Sequence, residues 1–195
     1  MDSRTPPNDG PPAGPAADAR RRRSAARLAA VQALYQQSVA GTSTPRLLNE
    51  FHNHRLGADL DAEEGGDRLA DADRAFFDDL VSGSLARTAE LDTLVAGFLG
   101  SGWTLDRLDR LMLQILRCGA YEMLARPDVP RAAVVSEYVD VAHAFYEARE
   151  AGFVNALLDR LKVQRFTIGG NSLGGMVAWQ VATLVPDRVD RVVLV

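Results

Sequence analysis

From Ser24 to Leu161 the large apolar residues recur at spacings of three and four, and nowhere in that stretch do they alternate as a strand requires. That single pattern confines the region to amphipathic helices, and so to an all-α fold. Leu28, Val31, Leu34, Tyr35 and Val39 form the stripe of a first helix over Ser24 to Val39, and Leu47, Leu48 and Phe51 mark a second after the Gly41–Pro45 break. A long third pattern runs from Phe76 through Phe77, Leu80, Val81, Leu85, Leu91, Leu94 and Val95 to Phe98, with Ser82-Gly83-Ser84 as a place for a bend. After Gly100-Ser101-Gly102 the chain restarts at Trp103. Leu108, Leu111, Met112, Ile115 and Leu116 predict a helix ending near Arg126-Pro127. Pro130 suits the first turn of the next helix, which should bury Val134, Val135, Tyr138, Val141, Ala142 and Phe145. Phe153, Val154, Leu157, Leu158 and Leu161 give the last.

The two ends differ from this middle. Met1 to about Asp18 has five prolines and two glycines but almost no large apolar residue, so residues 1–18 are expected to be a disordered tail. Past Lys162 the period changes. Phe166-Thr167-Ile168 is β-prone, a helical stretch follows from Met176 to Leu184, and Val189 to Val195 is β-prone again after the turn Pro186-Asp187-Arg188. Strand, helix and strand in that order make an incomplete βαβ fragment over 163–195. The expected organisation is thus tail, helical domain over 19–162, and fragment.

The formal net charge of -4 argues, taken alone, against a polyanion binder. Its distribution argues otherwise. Arg20, Arg21, Arg22, Arg23 and Arg27 fall within eight residues that contain no acid, whereas Asp59, Asp61, Glu63, Glu64, Asp67, Asp71 and Asp73 face only Arg68 in theirs. Such a chain attracts phosphate at one place and repels it elsewhere. Cys118 is the one cysteine, which rules out an internal disulfide and fits a reducing compartment. No apolar run approaches the roughly 18 to 20 residues of a membrane helix, and the proline-rich start does not read as a signal peptide. A cytoplasmic protein with no membrane partner is expected. His52, His54 and His143 are scattered and share no ligand spacing with the cysteine, so neither a metal nor another cofactor is expected. Asp78 and Asp79 are adjacent, point in different directions on a helix, and suit a solvated face.

Several segments together resemble the NusB family. They are Arg21-Arg22-Arg23-Ser24-Ala25-Ala26-Arg27-Leu28-Ala29-Ala30-Val31-Gln32-Ala33-Leu34-Tyr35, Leu105-Asp106-Arg107-Leu108-Asp109-Arg110 and Ile115-Leu116-Arg117-Cys118-Gly119-Ala120-Tyr121-Glu122. Asp128-Val129-Pro130, Glu137-Tyr138-Val139 and Phe153-Val154-Asn155-Ala156-Leu157-Leu158-Asp159 continue the series. The order and spacing hold from about Arg20 to Leu161. The resemblance implies a bundle of two packed helical subdomains and no catalysis. It implies a transcription antitermination factor that binds the boxA element of ribosomal RNA transcripts with a small-subunit ribosomal protein (NusE), within an RNA polymerase antitermination complex. The departure from the family is the long acidic stretch Asp59 to Asp73, which would compete with RNA if it folded over the arginines.

The candidate RNA-binding residues are Arg20, Arg21, Arg22, Arg23, Arg27, Gln32, Tyr35, Phe153 and Asn155. Arginine offers a planar fork of donors that grips phosphate and stacks on bases, and unpaired RNA is held by such cations together with exposed rings. Gln32 and Tyr35 lie one turn apart on a surface continuous with the arginines. Phe153 and Asn155 are included because they match the helix that approaches RNA in the family. Each has a plainer alternative: a solubilising run for the arginines, a core place for Tyr35 and Phe153, a helix brace for Asn155. Cys118 sits on an apolar helix and should be buried and inert.

Gly170-Asn171-Ser172-Leu173-Gly174 fits G-x-S-x-G between a strand and a helix, and so resembles the nucleophile elbow of α/β-hydrolases. Catalysis there needs an acid and a histidine after the serine, and no histidine follows His143. Ser172 is therefore expected to be inactive, and the fragment to be the result of two genes or reading frames joined near Lys162, by natural truncated fusion, assembly artefact or engineering. The alternatives to an antitermination factor are the NusB-like RNA-binding module of an RNA cytosine methyltransferase and a hydrolase fragment. The first would require a downstream cofactor-binding domain and the second a working serine.

Overall fold

The computed structural model of the chain describes residues 14–56, 69, 71–162, 166–170 and 189–194. Among them are seven α-helices: α1 (Pro15–Ala40), α2 (Thr44–His54), α3 (Arg74–Ala86), α4 (Thr88–Phe98), α5 (Arg110–Ala125), α6 (Arg131–His143) and α7 (Ala148–Lys162). A 3-10 turn at Leu105–Arg107 precedes α5. Strands β1 (Phe166–Gly170) and β2 (Val189–Leu194) pair in parallel, Ile168 opposite Val192. No helix among the described residues is long and apolar enough to cross a membrane. The chain divides into two compact units, Met1–Val81 and Ser82–Val195, and α3 passes from the first into the second.

In the first unit α1 begins well before the expected Ser24. Pro15 occupies its first turn, where a missing amide hydrogen costs nothing, and Asp18 places a carboxylate near the positive end of the helix. Pro15 to Asp18 are therefore helical and not part of a tail, and the arginine run is carried on a regular helix. Gly41 closes α1 in the left-handed region (φ 65°), its amide donating to the Gln37 carbonyl. The buried face of α1 is built largely from small residues: Ala25, Ala26, Ala29, Ala30 and Ala33 with Val31 and Leu34. Short side chains let neighbouring backbones approach, and α2 packs on α1 with the Gln36 amide donating to Glu50 at 2.9 Å. Phe51 of α2 and Phe77 of α3 stack with centroids 5.5 Å apart, both fully buried, each contributing about 1.5–3 kcal/mol of hydrophobic stabilisation. His52 lies edge-on to Phe77 and pairs with Asp78 at 2.6 Å. Asp78 thus ties α3 to α2 and is not simply a solvated carboxylate.

The expected third helix is two. It runs unbroken through Gly83 and stops after Ala86, with Arg87 (φ -109°, ψ 18°) preceding α4. Gly83 makes room: a Cβ there would lie 2.0 Å from Cζ of Tyr121 on α5. In the second unit Asp109 caps α5, its carboxylate accepting from the Leu111 and Met112 amides at 3.0 and 3.2 Å. Arg117 of α5 grips Asp92 of α4 through two hydrogen bonds of 2.7 and 2.8 Å. Gly119 brings α5 against Leu158 of α7 and Tyr138 of α6. Beside it the Tyr138 hydroxyl donates to buried Glu122 at 3.0 Å and lies 3.2 Å from Cys118 Sγ. Cys118 is buried, as expected. Phe145, expected in the core, follows the end of α6 and is 39% exposed.

Candidate nucleic-acid interface

A helix turns once per 3.6 residues, so five arginines spread over eight positions cannot share a face. The packing of α1 decides which way each one points. Arg21, Leu28, Gln32, Tyr35 and Val39 fall within about 60° of one another, opposite the alanine-rich buried face. Tyr35 is 42% exposed and Val39 more so, which removes both from the core stripe and leaves the Tyr35 ring at the surface. Gln32 is half-buried on the same stripe. Arg20 and Arg22 are exposed on its two flanks.

Arg23 and Arg27 turn the other way. Their guanidinium carbons sit 5.2 and 5.1 Å from the centroid of Phe76, a cation–π arrangement that ties α1 to α3. Arg27 is only 3% exposed. Expected among the surface cations, it is instead a packing residue, because its helical phase points it at an aromatic neighbour. Arg23 is half-buried against the same ring.

The acidic stretch reaches this face at its described end. Arg21 pairs with Asp18 at 3.2 Å and with Asp71 at 3.9 Å, and Arg22 Nε donates to the Asp71 carbonyl at 3.2 Å. These contacts do not withdraw the cations. The Arg21 and Asp71 side chains are 67% and 75% exposed, and ion pairs that open to water are worth about 0–1 kcal/mol and are screened by salt. Residues 57–68 and 70, with Asp59 to Asp67, lie outside the described residues.

Phe153 and Asn155 belong to the second unit. Two positions apart on α7, they point to opposite flanks of its exposed side. Asn155 is exposed. Phe153 is half-buried, its ring centroid 5.7 Å from that of Trp103 at an interplanar angle of 38°. Trp103 is 49% exposed, and the Arg107 guanidinium lies 5.7 Å from its centroid. Neither Trp103 nor Arg107 stands out by periodicity. The available signal was a tryptophan placed directly after Gly100-Ser101-Gly102, where no helix could bury it.

Comparison with known proteins gives a consistent picture. The model of the NusB family matches residues 24–162. A transcription antitermination protein NusB from Sphingopyxis alaskensis is 58% identical over 139 residues, covering 71% of this chain and 91% of that protein. One from Novosphingobium aromaticivorans is 60% identical over 137 residues, 70% of this chain and 90% of that protein. Among solved structures, T. maritima NusB superimposes with a TM-score of 0.57 at 24% identity, over 73% of this chain and 89% of its own. A complex of the antitermination factors NusB and NusE with double-stranded RNA gives 0.59 at 21% identity, over 73% and 96%. At those identities the structures speak for the fold alone; the sequence relatives and the family match carry more. The chain belongs to the NusB family.

Proposed function

We propose that this chain is a transcription antitermination factor that binds boxA-type single-stranded RNA together with a small-subunit ribosomal protein of NusE type, within the RNA polymerase antitermination complex that supports ribosomal RNA transcription. Its role is binding and not catalysis. The observation that carries the reading is the solvent-facing stripe of α1, where Arg21, Gln32 and Tyr35 align and Arg20 and Arg22 flank them. Guanidinium groups at one end of the stripe neutralise phosphates, and the Tyr35 ring about 21 Å further along offers a face to an unpaired base. Gln32 between them supplies amide donors and an acceptor for base edges. Arg23 and Arg27 stiffen the helix that presents these groups, and Phe153 and Asn155 provide contacts of their own on α7. The names of the sequence relatives support the assignment of activity.

Residues 163–195 lie beyond the family match, and we read them as a separate fragment resembling the nucleophile-elbow region of α/β-hydrolases. Parallel pairing of β1 with β2 is what a strand–helix–strand crossover requires. Ser172 and the expected helix from Met176 to Leu184 lie outside the described residues.

The test is fluorescence anisotropy of a labelled boxA-type RNA, unpaired or annealed to its complement, titrated with the full chain with and without the ribosomal protein. Preference for the unpaired strand, tightened by the partner, is expected. Equal binding to a scrambled strand, or no effect of the partner, would refute it.

A further inference from the structure

The half-exposed tryptophan of the second unit does not stand alone on its surface. A Trp ring about half open to water, beside a second ring and a cation, leaves part of its π-surface available to a ligand. The loop Ser101–Thr104 holds Trp103 outward between α4 and the 3-10 turn at Leu105–Arg107. Phe153 lies against it from α7, and Arg107 brings a cation over its ring. On α7 itself Arg149, Phe153 and Arg160 stand four and seven residues apart on one stripe, and both arginines are exposed. Arg160 is braced by donation to the Phe98 carbonyl at 3.2 Å. Asp106, the acid of the same turn, is engaged by the Thr104 side chain. Two adjoining aromatic rings with one guanidinium against the tryptophan, and two more arginines along the same stripe of α7, are the chemistry of a platform for an unpaired base and its phosphates.

We propose that Trp103, with Phe153 and Arg107 and with Arg149 and Arg160 at its rim, is a base-stacking platform for single-stranded RNA in the second unit, additional to the α1 stripe. It rests on the RNA-binding function proposed above, and adds to Phe153, which the family resemblance already names, a second stacking ring in Trp103 that neither periodicity nor the resemblance singles out. Because every base has a π-face, the platform gives affinity without strong sequence preference, while the rim makes it salt-sensitive.

Trp103 reports on itself. In the full-length chain carrying Trp179→Phe it is the one tryptophan, so stacking of a base should quench its emission as a short unpaired boxA-type RNA is added. Trp103→Ala should weaken binding of that RNA roughly five- to hundredfold, and Trp103→Phe should restore most of it. Unquenched emission at saturating RNA, or unchanged affinity of the alanine variant, overturns the platform. If Trp103→Ala fails to fold by thermal melting, the quenching of the intact ring decides alone. Should replacing Arg20, Arg21 and Arg22 abolish binding while Trp103→Ala does nothing, the platform falls and the function stands. If the parent chain binds no RNA, both fall.

Discussion

The helical phase of α1 divides its five arginines into two classes, and the division can be measured. Arg20, Arg21 and Arg22 are exposed, whereas Arg27 is buried on Phe76. Each phosphate neutralised on a single strand contributes about 0.7 to the slope of log affinity against log salt. Replacing the three exposed arginines by glutamine should therefore flatten that slope by about 2, so that a roughly fourfold rise in salt costs the variant about twentyfold less affinity than the parent. Arg27→Met removes the same unit charge but keeps most of the stem. It should leave the slope unaltered and instead forfeit a desolvated cation–π contact of about 1–2 kcal/mol. In a chain of this length that lowers the unfolding midpoint by roughly 2–8 °C. Anisotropy titrations at several salt concentrations, alongside calorimetric melts, separate the two behaviours. A flattened slope for Arg27→Met, or an unflattened one for the triple variant, would refute the phase assignment on which the interface depends.

Two further outcomes follow from the second unit. Gly83→Ala drives a methyl group to within 2.0 Å of the Tyr121 ring and should destabilise by about 1–3 kcal/mol or more, whereas Gly152→Ala, with nothing within 4 Å on α7, should be neutral or stabilising by up to about 1 kcal/mol; paired thermal melts check both. At Asp109, partial desolvation works to raise the carboxyl, but hydrogen bonds from Tyr146 and from the Met112, Leu111 and Arg110 amides outweigh it and hold its pKa below the ordinary value. A carboxyl depressed in the folded state contributes stability above its unfolded pKa and loses it as pH falls through the folded one. Asp109→Ala should thus cost about 0.5–2 kcal/mol at neutral pH, with the deficit shrinking in acid; a deficit that stays constant on melting down the pH scale would contradict this.

What could be read from the sequence, and what could not, separates along the same physical line. Periodicity reports that a segment is helical, and every segment expected to be helical between Ser24 and Leu161 is so, the third as two helices. Periodicity reports phase only where the buried residues are the large ones. On α6 they are, and Val134, Val135, Tyr138, Val141 and Ala142 are buried as expected. On α1 the close-packed face is made largely of alanine, which is equally at home inside or out, so periodicity draws the larger Tyr35 and Val39 into a stripe that the fold turns to solvent. The arginines inherit that ambiguity: their number was plain in the sequence, but which of them face water depends on Phe76, nearly fifty residues on. Gly83 misled in the same way, since a mid-helix glycine signals a bend until Tyr121 is seen to need the space. The His52–Asp78 pair and the Trp103–Phe153 contact each join elements distant in sequence, where spacing carries no information. For a binding protein this matters more than for many enzymes: a catalytic motif can name its residues by type, whereas a cationic interface is defined by which of several identical side chains the core leaves outside.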